Sequence, residues 1–193
     1  MALTQYNTAT SIDGFIADEN NSLQWLFDVD AEGTADRFAG FMADVGAMAM
    51  GATTYAWLLE HEGLLDDPAK WAAGYADRPC WVFSHREWPR VPGADIRFVE
   101  GDVRPVHEEM LAAAGGRNVW LTGGGDLVGQ FADHGLLDEI ILGVAPVTLG
   151  AGAPLLPRRL TGVLQLIDAQ ALNSAFVEVR YRVLPGENPL KPD

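Results

Sequence analysis

Three short stretches carry side chains and main-chain groups suited to holding an anionic ligand. Thr122-Gly123-Gly124-Gly125-Asp126, followed by Leu127, joins a predicted strand to a predicted helix. Glycines let the main chain approach a ligand closely. The unpaired N–H groups of a helix start, at the positive end of its dipole, favour a phosphate or diphosphate. The same glycines also suit a tight turn that merely joins two elements, and spacing alone leaves both readings open. Gly-x-Gly-x-x-Gly with a following acid on a second strand does not occur. Gly51-Ala52-Thr53-Thr54-Tyr55 forms a second strand-to-helix junction, and Ser84-His85-Arg86 follows a third strand. Arg86 suits a phosphate monoester and Ser84 a ribose or phosphate oxygen. A solvated turn ahead of Trp88-Pro89 explains that triplet as readily. In an open parallel sheet ligands bind beyond the carboxyl ends of the strands, so all three junctions could line one crevice.

Other chemistries lack their residues. His61, His85, His107 and His134 are scattered, with no His-x-x-x-His pair and no neighbouring thiols, which leaves metal catalysis unsupported. No Gly-x-Ser-x-Gly elbow occurs, and the lone Cys80 opens a predicted buried strand as an inert core thiol. What remains is chemistry done by a bound cofactor, for which the protein supplies position and electrostatics. Asp13, just after the first strand, and Asp30, beyond Trp25, are candidate substrate contacts. An acid in a helix's first turn is also ordinary dipole complementation, and Trp25 suits a core as well as a stacking platform.

The elements that must position these residues follow from periodicity. Leu3 to Ser11 alternates as a strand, and Asp13-Gly14 leads into a long acidic loop. Ala35, Phe38, Phe41, Met42 and Val45 recur at helical spacing, which predicts a helix over 31–45; Ala47 to Met50 then reads as a short buried strand. Thr53 and Thr54 precede a short helix with hydroxyls placed to cap it, and 60–78 reads as acidic surface loop and helix. Trp81 to Phe83 and Ile96 to Val99 are strands, and Val103 to Ala114 is a helix stopped by Gly115-Gly116. Val119 to Leu121 is a strand, Asp126 to His134 a helix, and Glu139 to Val144 a strand. The uncharged run Ile140 to Pro157 reads as strand and loop, because prolines and glycines interrupt any membrane helix. Val163 to Ala169 and Phe176 to Val183, joined by Asn173-Ser174, predict an antiparallel hairpin. The expected fold is α/β: three layers, with a mostly parallel central sheet covered on both faces and an antiparallel C-terminal hairpin. One domain spans 1–184, and 185–193 is expected to be a flexible tail.

Composition bounds the rest. A chain of 193 residues with 48% hydrophobic and 21% charged residues suits one globular domain rather than disorder or a disulfide scaffold. Thirteen basic against 27 acidic residues give a net charge of −14. Residues 1–77 hold 13 acids against Arg37 and Lys70, so basic groups concentrate in the second half. Such a field predicts neither nucleic-acid nor membrane partners. No Lys or Arg precedes Arg37, so neither a secretory signal nor a transit peptide is expected. With one cysteine, a reducing, cytoplasmic location follows as the expectation.

Ser11-Ile12-Asp13-Gly14-Phe15-Ile16-Ala17, Gly51-Ala52-Thr53-Thr54-Tyr55, Val82-Phe83-Ser84, Thr122-Gly123-Gly124-Gly125 and Gly135 to Gly152 occur in an order that resembles the dihydrofolate reductase-like superfamily. The nearest branch resembles the reductase domain of bacterial riboflavin biosynthesis, over about residues 3 to 183. The resemblance implies a homodimer that binds NADPH and transfers a hydride to a small heterocycle, most nearly 5-amino-6-(5-phosphoribosylamino)uracil. It implies a cofactor held by Gly51, Thr53, Thr54 and Thr122 to Leu127, its diphosphate near Thr54 and Gly123 to Gly125, the adenosine phosphate near Ser84, His85 and Arg86, and substrate near Asp13, Trp25 and the candidate catalytic Asp30. The acidic loop 14–30 is a candidate lid. Ala52 stands where the family carries an arginine on the cofactor's 2′-phosphate, so NADH is also admitted. Gly143 stands where folate reductases hold the pterin with a threonine, which makes dihydrofolate the alternative substrate. A nucleotide- or pterin-binding module without turnover is the alternative outside enzymes. A phosphoribosyl substrate needs cations, which Arg158-Arg159 could supply. The sequence carries no His-x-Glu with Pro-Cys-x-x-Cys, so the bifunctional riboflavin enzyme is not expected.

Overall fold

Strands apolar on both sides need cover on both faces, and the chain supplies it with helices between successive parallel strands. The computed structural model describes residues 2–30 and 32–185; the expected tail beyond Pro185 and the first residue of the predicted 31–45 helix lie outside them. The strands are β1 (Thr4–Ser11), β2 (Phe15–Ala17), β3 (Val45–Gly51), β4 (Cys80–Phe83), β5 (Ile96–Val99), β6 (Asn118–Gly123), β7 (Glu139–Ala145), β8 (Ala153–Pro154), β9 (Val163–Ala171) and β10 (Val177–Leu184). The helices are α1 (Gln24–Phe27), α2 (Thr34–Ala43), α3 (Ala52–His61), α4 (Ala69–Tyr75), α5 (Val103–Ala114) and α6 (Gly125–Asp133). The main sheet runs β5-β4-β3-β6-β1-β7-β10-β9. Its first five pairings are parallel, and β10 is antiparallel to both β7 and β9. The three-layer α/β architecture with an antiparallel C-terminal hairpin is the one expected.

Two apolar layers flank the sheet. On one face Tyr6, Ala47, Ala49, Trp81 and Leu121 pack against α5 and α6 through Met110, Val128 and Phe131. On the other Met48, Met50, Val82 and Trp120 meet Met42 of α2, Tyr55 and Leu58 of α3 and Trp71 of α4. Cys80 belongs to this second layer, where burial pushes its thiol pKa far up and leaves it inert. A register shift between Val45 and Ala47 lets both Val45 and Met48 face this layer. Gly46 sits at that shift, where a Cβ would lie 2.4 Å from the Ala114 carbonyl oxygen, so its bare backbone lets the end of α5 touch the strand. Arg78 ties the start of β3 to the ends of α2 and α4 by donating to the carbonyls of Met42, Val45 and Tyr75.

Several boundaries differ from expectation for local reasons. The 31–45 helix begins only at Thr34, after Gly33 at φ +80°, and β3 already starts at Val45. Helix α3 starts at Ala52 with Gly51 as its N-cap, so Thr53 and Thr54 lie inside its first turn and cap nothing. Helix α6 likewise begins one residue early, at Gly125. Loop 14–30 contains β2, paired with β8, and the short helix α1. Cover on both faces holds for the parallel strands but stops at the hairpin: Val163, Leu164, Leu166 and Ile167 of β9 are all exposed. The hairpin is held instead by Glu139, which is 2% exposed and accepts from Gln5 and Arg180. Among the described residues no helix is long and apolar enough to cross a membrane.

Substitution Gly46→Ala forces the methyl into the Ala114 backbone, and overpacking of this kind costs about 1–3 kcal/mol. We expect a lower denaturant midpoint with an unchanged slope; an unaltered midpoint would show that the strand and α5 separate freely.

Candidate functional site

Strands β3 and β6 end side by side, and each feeds a helix at once, so the starts of α3 and α6 meet. A Cβ placed on Gly51 would lie 3.6 Å from the Gly124 nitrogen. Neither helix has a side-chain cap, because both N-cap positions are glycine. Their first-turn amides therefore have no side-chain acceptor, and both positive dipole ends fall on one spot.

The three glycines serve different needs. Gly123 adopts φ +137°, which glycine alone tolerates comfortably, and the Gly123–Gly124 peptide is cis. A Cβ on Gly125 would meet the carbonyl oxygens of Leu155 at 2.4 Å and Pro154 at 2.6 Å. That loop is pressed onto α6 because Leu155 donates its amide to the Gly14 carbonyl and accepts from the Tyr6 hydroxyl. Gly124 has nothing within 4 Å and faces open space. Two of the glycines thus satisfy the protein, while Gly124 leaves room for something else.

Two cavities adjoin at this point and share Thr53, Gly124 and Asp126. The first, of about 270 Å³, also takes in Gly51, Ser84, His85, Leu127, Glu100 and Gln130. The second, of about 340 Å³, takes in Thr54, Thr122, Gly123 and Gly125 and is otherwise walled mainly by apolar side chains, Ile16, Leu23, Trp57 and Pro157 among them. Thr122 donates its hydroxyl to the Ala49 carbonyl at 3.2 Å, which fastens the turn to β3. Phe27 of α1 stacks on His61, and His61 on Trp57, with centroids 5.2 and 4.3 Å apart. That stack sets the segment expected to be a lid against α3.

The structure therefore brings together Gly51, Thr53, Thr54, Ser84, His85 and the whole run Thr122 to Leu127. It does not bring Arg86 to the cavities: its guanidinium lies over the Trp88 ring, 5.7 Å from the centroid. The Ser84 hydroxyl is spent on a closed turn, donating to the Arg86 carbonyl and accepting from the Arg86 amide and the Trp88 indole. The Asp126 carboxylate, held below its ordinary range by Arg158 and then Gln130, turns to those partners.

Asp13, Trp25 and Asp30 line neither cavity. Asp13 accepts from the Ser11 hydroxyl and from the amides of Leu149 and Gly150, and so pins the loop after β7. Trp25 has a buried indole nitrogen without a hydrogen-bond partner. Asp30 accepts from the Glu32 amide, and its carbonyl accepts from Asn173. Spacing along an irregular loop does not tell which way its side chains turn, so these positions were open to either outcome. Reading the sequence also missed Glu100, although the rule that ligands sit beyond strand ends applies to β5 as it does to β3. Trp57, one helical turn after Thr54, carried the same kind of signal. Among the described residues no group of three His, Cys, Asp or Glu is placed to hold a metal ion.

A mostly parallel α/β sheet with its crevice at the strand ends and an antiparallel final hairpin defines a domain of the dihydrofolate reductase-like fold. Within that fold the chain belongs to the RibD C-terminal domain family, whose model matches residues 3–177. It is 32% identical over 147 residues to the uncharacterized protein YwjB of Bacillus subtilis, covering 76% of this chain and 78% of that one. A Shewanella sp. PV-4 protein named for riboflavin biosynthesis superposes with a TM-score of 0.75 at 25% identity, over 96% of this chain and all of the other. The Thermotoga maritima diaminohydroxyphosphoribosylaminopyrimidine deaminase/5-amino-6-(5-phosphoribosylamino)uracil reductase matches in fold with a TM-score of 0.60 at 16% identity. That match covers 94% of this chain and 56% of the other.

The Ser11 hydroxyl and the Gly150 and Leu149 amides hold the Asp13 carboxyl below the usual carboxylate range. A lowered acid stabilises the native state above its ordinary pKa, and that contribution is lost as the pH falls through the lowered native value. We expect the Leu149 and Gly150 amide resonances to titrate only below the ordinary carboxylate range, and not at all in Asp13→Asn. Titration within the ordinary range would show that the carboxylate does not hold the loop.

Proposed function

We propose that this chain is an NAD(P)H-dependent reductase that transfers a hydride to a small heterocyclic substrate. The observation that carries the reading is the pair of uncapped helix starts meeting at Gly51 and Gly124, with open space at Gly124. A dinucleotide diphosphate fits that cradle: main-chain amides of two helices face it, and no side chain competes for the place. The two cavities adjoin it, one with several polar side chains in its lining and one lined mainly by apolar ones.

On this reading the polar cavity takes the adenosine and the apolar one takes the nicotinamide with the substrate. The bound nicotinamide supplies the hydride. The protein's own part is placement and exclusion of water. Leu23, Ile16, Trp57 and Pro157 enclose the reacting pair, and the Phe27–His61–Trp57 stack keeps α1 against α3. Asp13 has no part in the reacting space on this reading and holds the loop at Leu149 and Gly150. No Lys or Arg lines the apolar cavity, so a phosphoribosyl group finds no cation there, and a compact heterocycle suits it better than a phosphorylated one. Arg158, expected to serve such a phosphate, is committed to Asp126 and Asp133.

Calorimetry with NADH and NADPH tests the cradle. Uptake of at least one is expected, and Gly124→Ala, whose methyl meets no protein atom, should lower that affinity by about ten-fold or more while leaving the unfolding midpoint in place. Incubation with pyrimidine, pterin and quinone panels should then consume the reduced nicotinamide absorbance with at least one of them. Binding without oxidation across all three would replace the reductase with a nucleotide-binding module, and no binding would remove both.

A further inference from the structure

We propose that the crevice selects NADH over NADPH, and that Glu100 is the residue that reads the unphosphorylated ribose. The inference rests on the dinucleotide reading above and concerns its adenosine end. The cavity there is lined by two carboxylates, Glu100 and Asp126, and by no Lys or Arg. His85 is the one group lining it that is able to carry positive charge, and its Nδ1 already lies 3.5 Å from a Glu100 carboxylate oxygen.

Arginines on neighbouring segments are engaged elsewhere: Arg90 lies over Phe98 and Arg97 pairs with Asp95. Arg86 lies over Trp88, Arg104 pairs with Asp102 at the start of its own helix, and Arg158 bridges Asp126 and Asp133. The first residue of α3, which reaches the cavity, is Ala52 and brings only a methyl group. A 2′-phosphate, with close to two negative charges, would enter a space where Arg158 already balances Asp126 and where the Glu100 carboxylate has only His85 beside it. A ribose diol instead brings two O–H donors, and Glu100 at the end of β5, with a side chain 73% exposed, is an acceptor placed to receive them. The crevice thus sorts anions by position: the diphosphate is met by two helix starts at Gly124, and a second phosphate one ribose away meets the Glu100 carboxylate.

The test is equilibrium titration of the full chain with NADH and with NADPH, followed by calorimetry or by quenching of tryptophan fluorescence, so that no turnover is needed. NADH should bind at least about ten-fold more tightly. Glu100→Gln should shrink the ratio, and the double variant Glu100→Gln/Ala52→Arg should invert it, with unfolding midpoints confirming that each variant is folded. NADPH binding as tightly as NADH, or more tightly, in the unaltered chain would overturn the inference and leave the reductase reading standing. An unchanged ratio in Glu100→Gln would remove Glu100 as its reader. Uptake of neither nucleotide would overturn the dinucleotide reading and this inference with it.

Discussion

Strands β3 and β6 end side by side, so two helix starts meet at one place, and that encounter organises this molecule. The first turns of α3 and α6 meet at Gly51 and Gly124, where a Cβ would clash with no protein atom, while Gly123 and Gly125 make the turn and the close contact with residues 154–155 possible. Like dipole ends repel, and neither helix carries a capping side chain to relieve them. Such a pair of dipole ends is the complement of an anion, which is the basis of the proposed function. The sheet order that sets β3 beside β6 is what creates the encounter.

The surrounding polar groups largely serve the framework. Glu139, buried under the hairpin, gathers Gln5 and Arg180 and so joins β10 to the parallel strands. Arg78 satisfies three carbonyls around the start of β3, and the exposed Asp13 fastens the loop that follows β7. Buried or half-buried groups such as Glu139 and Arg78 are costly without partners, so their pairing reflects the demands of folding before those of a ligand. Once they are set aside, the groups left at the crevice are main-chain amides, a few hydroxyls, His85 and Glu100. This remainder suits a ligand held by its diphosphate.

Membership in the RibD C-terminal domain family accounts for the architecture, and individual side chains set the lining of the crevice beyond the strand ends. Ala52 opens α3 without a cation, and Arg86 leans on an indole ring. The fold provides the crevice, and on the proposed reading the particular side chains decide which dinucleotide it takes.

Much of this was legible in the chain itself. Alternation and helical spacing placed the strands and helices to within a few residues, because burial on two faces leaves few other arrangements for such patterns. Junctions after three strands, two of them containing glycine, marked places where the crevice is built. What the pattern could not convey was direction. Whether Ser84 offers its hydroxyl or spends it on its own turn, whether Arg86 reaches the cavity, and whether Asp13 faces a ligand or a loop depend on neighbours distant in sequence. The pairing of β2 with β8 and the approach of Glu100 are of the same kind. Periodicity determined the elements and the glycine positions, since backbone sterics and hydrophobic burial act locally. Only the tertiary structure decided which polar groups remain available, because hydrogen bonds are claimed by whichever partner the packing brings near.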